Sequence, residues 1–132
     1  MRKALFAILC ILTASAAAAA GQSGTDYTQP DALEKLVAGR GNPPSILVDV
    51  RTPEEYEFGH IPTAINIPVS EIGNRPPTQD RKALIVVYCR SGSRSATAAR
   101  ILRDLGYGNV VDFGAVSRWE KPLVEGSEPG EP

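Results

Sequence analysis

Leu84 to Tyr88 is an unbroken, β-branched-rich apolar run, and Cys89 closes it at the head of Arg90-Ser91-Gly92-Ser93-Arg94-Ser95. A short apolar run bounded by a Gly/Ser loop reads as a strand buried on both faces. From Ser95 onward Ala98, Ala99, Leu102 and Leu105 recur at helical spacing, so the chain passes from strand to helix through the cysteine loop. Such a strand needs neighbouring strands at its edges and helices over both faces, which restricts the chain to layered α/β architectures. The amides of residues 90–95 have no ladder partners. If the loop curls, they converge on an anion at its centre, and the Cys89 sulfur is the nearest candidate.

A free thiol titrates near about 8.5, and each unit of downward shift requires about 1.4 kcal/mol of preference for the thiolate. A helix N-terminus in partly buried geometry contributes up to about 2 kcal/mol. Loop amides, with Arg90 or Arg94, add to it. The total makes Cys89 a nucleophile at neutral pH. A structural cysteine, by contrast, packs as a small hydrophobe and has no use for two arginines and a glycine in the next five residues.

At the other end of the chain, Arg2 and Lys3 precede the apolar stretch Ala4 to Leu12, and Ala14 to Ala20 supplies the small residues that signal peptidase cuts. Residues 1–20 are expected to be an export signal cleaved after Ala20, with 21–26 a short flexible lead-in. The apolar stretch is too short to span a bilayer, and Leu9 before Cys10 is too bulky for a lipoprotein site, so no stable membrane anchoring is expected. The location implied is the periplasm or the exterior. Cleavage removes Cys10 and leaves Cys89 as the only thiol, so no disulfide framework forms and an unpaired cysteine in an oxidising compartment has chemical work.

With 14 Lys and Arg against 15 Asp and Glu in 132 residues, the chain is one small domain of ordinary acidity. No basic stripe is available for nucleic acid. Pro30 opens a helix with Leu33, Leu36 and Val37 on one face, ended by Gly39. Ile46 to Val50 reads as a strand with Asp49 near its end, Pro53 to Tyr56 as a helical turn stopped by Gly59, and Ile65 to Ile67 as a short strand. Residues 70–82 read as a loop. Leu84 to Tyr88, a helix from about Ser95 to Leu105 stopped by Gly106, and Val110 to Phe113 complete a strand, helix, strand unit. The alternation predicts a mainly parallel sheet with helices on both faces, whose ligands bind beyond the carboxyl ends of the strands. Asp49, Arg51 and Cys89 all lie at or just past such ends. Residues 125–132, with Pro129 and Pro132 among Gly and Glu, are expected to be a disordered tail.

Taken together, Leu47-Val48-Asp49-Val50-Arg51, Glu54-Glu55-Tyr56, Gly59-His60-Ile61-Pro62 with Ala64, Asn66, Ile67 and Pro68, and the Cys89 to Ser95 loop resemble the rhodanese family, specifically the single-domain sulfurtransferases. The resemblance covers residues 27–124, taken as the domain. It implies a five-stranded, mainly parallel α/β sheet flanked by helices, with Cys89 as the catalytic residue and Arg90, Ser91, Gly92, Ser93, Arg94 and Ser95 as the loop that binds substrate. It further implies that Cys89 takes sulfur from a small anionic donor such as thiosulfate, holds it as a persulfide and yields it to cyanide or a thiol, with no metal or organic cofactor. The chain departs from the family's pattern at Thr63, where Gly is frequent, and at Gly114-Ala115, where Gly-Gly is common. Both departures lie off the cysteine loop in sequence.

His60, the only histidine, is read as structural, and Trp119 as a core or lid residue. Asp49 and Arg51 are candidates for contact with substrate at the rim, although a pair two residues apart more often organises loops. Arg90 and Arg94 are assigned to anion recognition. A cysteine phosphatase or arsenate reductase also uses a cysteine-headed anion loop ending in arginine, but that loop is one residue longer than Cys89 to Arg94. The shorter loop suits one sulfur atom better than a phosphoryl group. A persulfide carrier that delivers sulfur to a protein acceptor is the second alternative. Terminal sequencing of the exported protein should find it beginning near Gly21; an intact Met1 in a cytoplasmic pool would overturn the reading of the leader.

Overall fold

A computed structural model describes residues 24–132; the leader expected over residues 1–20 and the first part of the 21–26 segment lie outside the described residues. Helix α1 (Pro30–Ala38) begins with Pro at its first position and buries Ala32, Leu33, Leu36 and Val37. Strand β1 (Ser45–Asp49) follows. Helix α2 (Pro53–Phe58) is capped by Thr52, whose hydroxyl accepts the Glu55 N–H at 3.3 Å. After β2 (Ile65–Asn66) and an irregular stretch come β3 (Leu84–Cys89), α3 (Ser93–Asp104) and β4 (Val110–Ala115). Helix α3 starts two residues before the expected position because Gly92, at φ 99°, turns the chain into it.

The sheet is wholly parallel in the order β2-β1-β3-β4. All six residues of β3 are buried, as its central place requires. Its alternate side chains feed two cores. Leu84, Val86 and Tyr88 pack with Leu33, Leu36 and Val37 of α1, Tyr56 of α2, Phe113 and Trp119. Ile85, Val87 and Cys89 pack with Ala98, Ala99 and Leu102 of α3, together with Ile72 and Tyr107. Helices therefore cover both faces, each fully buried Leu or Val contributing about 1.5–3 kcal/mol. Trp119 is a core residue, 8% exposed.

Two expectations are corrected. The described residues form four strands, not five, and the C-terminal segment adds only a single antiparallel bridge, Val124 with His60. Pro122, two residues earlier, has no N–H with which to extend it. Nor is the tail loose. The Gly126 N–H donates to the Glu57 carbonyl at 2.8 Å, and His60 Nε2 lies 2.9 Å from the Glu128 carbonyl. His60 Nδ1 lies 2.8 Å from the Tyr56 carbonyl, and its ring stacks on Tyr56 at 3.7 Å between centroids. The imidazole is buried among these partners, in the structural role assigned to it.

The Thr63 N–H donates to the Pro129 carbonyl at 2.9 Å, fastening the same tail, and Thr63 sits at φ 72°. That is the left-handed region, where a β-branched residue is strained by about 1–3 kcal/mol. The need for Gly at this point is thus a backbone need, and this chain meets it with a residue that fits poorly. Thr63→Gly should raise the urea midpoint by the equivalent of about 1 kcal/mol with an unchanged m-value; a lowered midpoint would show that the threonine side chain compensates its strain.

Candidate active site

Strand β3 carries Cys89 to the edge of the sheet on its α3 face, and the loop that follows must return the chain over the strand end to start α3. Gly92 makes this turn in a left-handed conformation and directs its N–H at Cys89 Sγ, 3.0 Å away. Gly114 of β4, also left-handed at φ 92°, packs against it: a Cβ on Gly92 would lie 3.8 Å from Gly114 Cα. The Gly114-Ala115 departure, distant from the loop in sequence, therefore borders it in space. Only its first position needs glycine, since Ala115 has an ordinary extended backbone at φ −83°.

Ser95, in the first turn of α3 and fully buried, lies with its hydroxyl 3.5 Å from Sγ and 3.1 Å from the Gly92 carbonyl oxygen. A hydroxyl has one proton and two lone pairs, so this group adapts to the charge state of the sulfur. Toward the thiol it accepts S–H while donating to the Gly92 carbonyl. Toward the thiolate it turns and donates to sulfur. Burial pushes the Cys89 thiol up, yet the Ser95 hydroxyl and the backbone N–H groups of Ser95, Gly92 and Ser91 more than offset it, and the net shift is downward. The sulfur is wholly shielded, at 0% exposure, which makes each of these donors stronger than it would be in water.

The arginines divide in a way that spacing does not reveal. Arg90 is exposed and makes no ion pair among the described residues. Arg94 instead reaches α2, where both its terminal nitrogens donate to the Glu55 carboxylate at 2.7 and 2.9 Å. Ser91 and Ser93 are exposed, the first contributing its amide to the cradle and the second starting the helix. Asp49 and Arg51 are engaged with one another, and only Arg51 borders the cleft beside the loop. They are 0% and 6% exposed, and Arg51 donates through Nε and Nη2 to the Asp49 carboxylate and at 2.7 Å to the Gly59 carbonyl. Their role is to hold the end of β1 to the 59–62 loop, a role Asn66 shares by donating to the Asp49 and Arg51 carbonyls, both at 3.0 Å.

Beside the loop is an open cleft of about 450 Å³ lined by Arg51, Glu54, Glu55, Phe58, Arg90 and Val116. Phe58, at 88% exposure the most exposed large apolar side chain among the described residues, stands at its edge. Glu55 and Phe58 are the site residues that reasoning from spacing overlooked. For Glu55 no local signal exists, since its partner lies 39 positions away. For Phe58 the signal was present, an aromatic next to Gly59 at the end of a short helix with no apolar partner in register.

Fold and site together define an α/β protein built round a buried cysteine in an amide-lined loop. The family model of the Rhodanese-like domain matches residues 29–121, and the chain belongs to the rhodanese family. It is 38% identical over 81 residues to the thiosulfate sulfurtransferase PspE of Escherichia coli (strain K12), a span of 60% of this chain and 78% of that protein. Among solved structures it is similar to a rhodanese with anions from E. coli, with 36% identity, a TM-score of 0.59 and coverage of 62% of this chain and 99% of that one. It is similar also to the human single-domain sulfurtransferase TSTD1, with 30% identity, a TM-score of 0.58 and coverage of 66% and 88%. The chain's function is rhodanese-type sulfur transfer. Ser95→Ala should raise the pH midpoint of Cys89 alkylation, because the hydroxyl that donates to the thiolate is lost; an unmoved midpoint would assign thiolate stabilisation to the amides alone.

Proposed function

We propose that this protein takes the outer sulfur of thiosulfate or a related donor onto Cys89 and passes it to a thiol, or to cyanide where that is supplied. The observation that carries the reading is Sγ held 3.0 Å from the Gly92 amide with the Ser95 hydroxyl beside it, a cradle built for a sulfur anion. The Cys89 thiolate attacks the outer sulfur, a new S–S bond forms, and the donor's S–S bond breaks. Sulfite leaves with that bond's electron pair, and Cys89 is left as a persulfide anion. In the second half the acceptor attacks the terminal sulfur and Cys89 departs as the thiolate it began as. The same donors serve both intermediates, so the loop need not reorganise between half-reactions.

Thiosulfate as donor is supported by the name of PspE. The acceptor in this reading is a thiol, small or borne by a protein, and the basic and apolar residues 2–20 favour a reaction in the periplasm or outside the cell. Exposure to thiosulfate should add one sulfur atom to the intact mass, cyanide should remove it, and Cys89→Ser should abolish both the adduct and the transfer. Full transferase activity in the serine variant would overturn the mechanism, and Cys89-dependent hydrolysis of an aryl phosphate would favour a phosphatase.

A further inference from the structure

Three guanidinium groups and three carboxylates gather round the cysteine loop: Arg51, Arg90 and Arg94 with Asp49, Glu54 and Glu55. Two of the cations are already neutralised. Arg51 is locked on Asp49 in the interior, and Arg94 is gripped on both terminal nitrogens by Glu55. That second pair is only partly exposed, 33% for the Arg94 side chain and 30% for Glu55, and its two-pronged geometry engages both terminal nitrogens and sets a carboxylate charge directly against the guanidinium. The hydrogen bond from Arg94 holds the Glu55 carboxyl at about 2, so the carboxylate is charged throughout the range in which the enzyme works. Arg94 directly precedes Ser95, whose hydroxyl lies 3.5 Å from the sulfur, so the Arg94–Glu55 pair stands at the mouth of the cysteine loop. Of these three, Arg90 alone makes no ion pair among the described residues. With the charges in the cleft balanced before the thiolate is counted, ionisation of Cys89 leaves the site net negative. A dianion approaching it is met by one available cation and several anions, whereas a monoanion meets half of that repulsion.

We propose that Glu55 is a specificity-determining residue: by holding Arg94 it leaves the cysteine loop one free guanidinium and sets the site for singly charged sulfane-sulfur donors over doubly charged thiosulfate. This rests on the sulfur-transfer reading of Cys89. The donor class is one in which carbon replaces an anionic oxygen of thiosulfate, such as a thiosulfonate, or an organic persulfide. With a thiosulfonate, the Cys89 thiolate attacks the terminal sulfur, the S–S bond breaks, and a sulfinate leaves with the electron pair. One charge is carried away and one stays on the persulfide, as charge balance requires.

Thiosulfate and methanethiosulfonate differ by one charge at a common reacting atom, and the ratio of their kcat/KM values, with cyanide as acceptor, reads the discrimination. E55Q frees Arg94 and should shift this ratio toward thiosulfate by about tenfold, equivalent to about 1.4 kcal/mol, chiefly through KM. R94Q removes the cation and leaves the carboxylate, and should shift the ratio the opposite way. E55Q/R94Q removes both charges and should return it to within about twofold of wild type. A ratio that stays constant across all three, or that falls in every variant whatever its charge, overturns the proposal; R94Q and the double variant carry the test if E55Q does not fold. Intact mass separates the two levels. If neither donor loads sulfur on Cys89 the sulfur-transfer reading itself fails, while loading with an unmoved ratio defeats only the role given to Glu55.

Discussion

The loop leaving β3 has its shape because the strand is buried on both faces to its last residue. A strand with no exposed face cannot end in a gradual turn into solvent; the chain has to bend over the sheet's edge, and the amides it exposes in bending lack ladder partners. Those amides need an acceptor, and the thiol at the strand end needs compensation for its own burial. Each meets the other's requirement. Gly92 allows the bend, and the start of α3 brings Ser95 to the same point, so the sulfur receives a backbone and a side-chain donor from four consecutive residues of chain.

The two ion pairs near this loop differ in environment and so in role. Asp49–Arg51 is buried, satisfied on most of its polar atoms, and reaches the Gly59 carbonyl, which ties the end of β1 to the segment that carries His60 and Ile61. The Tyr88 hydroxyl accepts the Ile61 N–H at 3.0 Å, so the residue preceding Cys89 holds the same segment from the other side. A buried pair of this kind is valuable less for net stability than for the single geometry it permits. Glu55–Arg94 joins α2 to the first turn of α3 in a half-exposed position, where its energy is modest and its effect on the local field is the larger consequence. The same short helix carries Tyr56, whose hydroxyl donates to the Ala64 carbonyl at 2.5 Å and whose ring supports His60, which in turn anchors the tail.

Much of the fold was legible in the sequence because its determinants are local. The apolar run ending at Cys89, the helical spacing after Ser95, Pro30 and Pro53 at helix starts and Gly106 at a helix end each act within a few residues, and the elements they specify are present with small shifts of boundary. The thiol was legible for the same reason, since strand end, Gly and helix start are consecutive. What only the tertiary structure decided is which side chains meet. Arg94 is separated from Glu55 by 39 positions, so no pattern within the loop could show that one of its two arginines is engaged. The inward turn of Asp49 and Arg51 depends on the Gly59 carbonyl, and the order in the tail depends on Glu57, His60 and Thr63. Sequence by itself determined the cysteine loop and the layers that present it, through short-range conformational preference and hydrophobic periodicity. The distribution of free charge around that cysteine was settled by long-range contacts, because an ion pair is defined by distance in space and leaves no spacing rule in the chain.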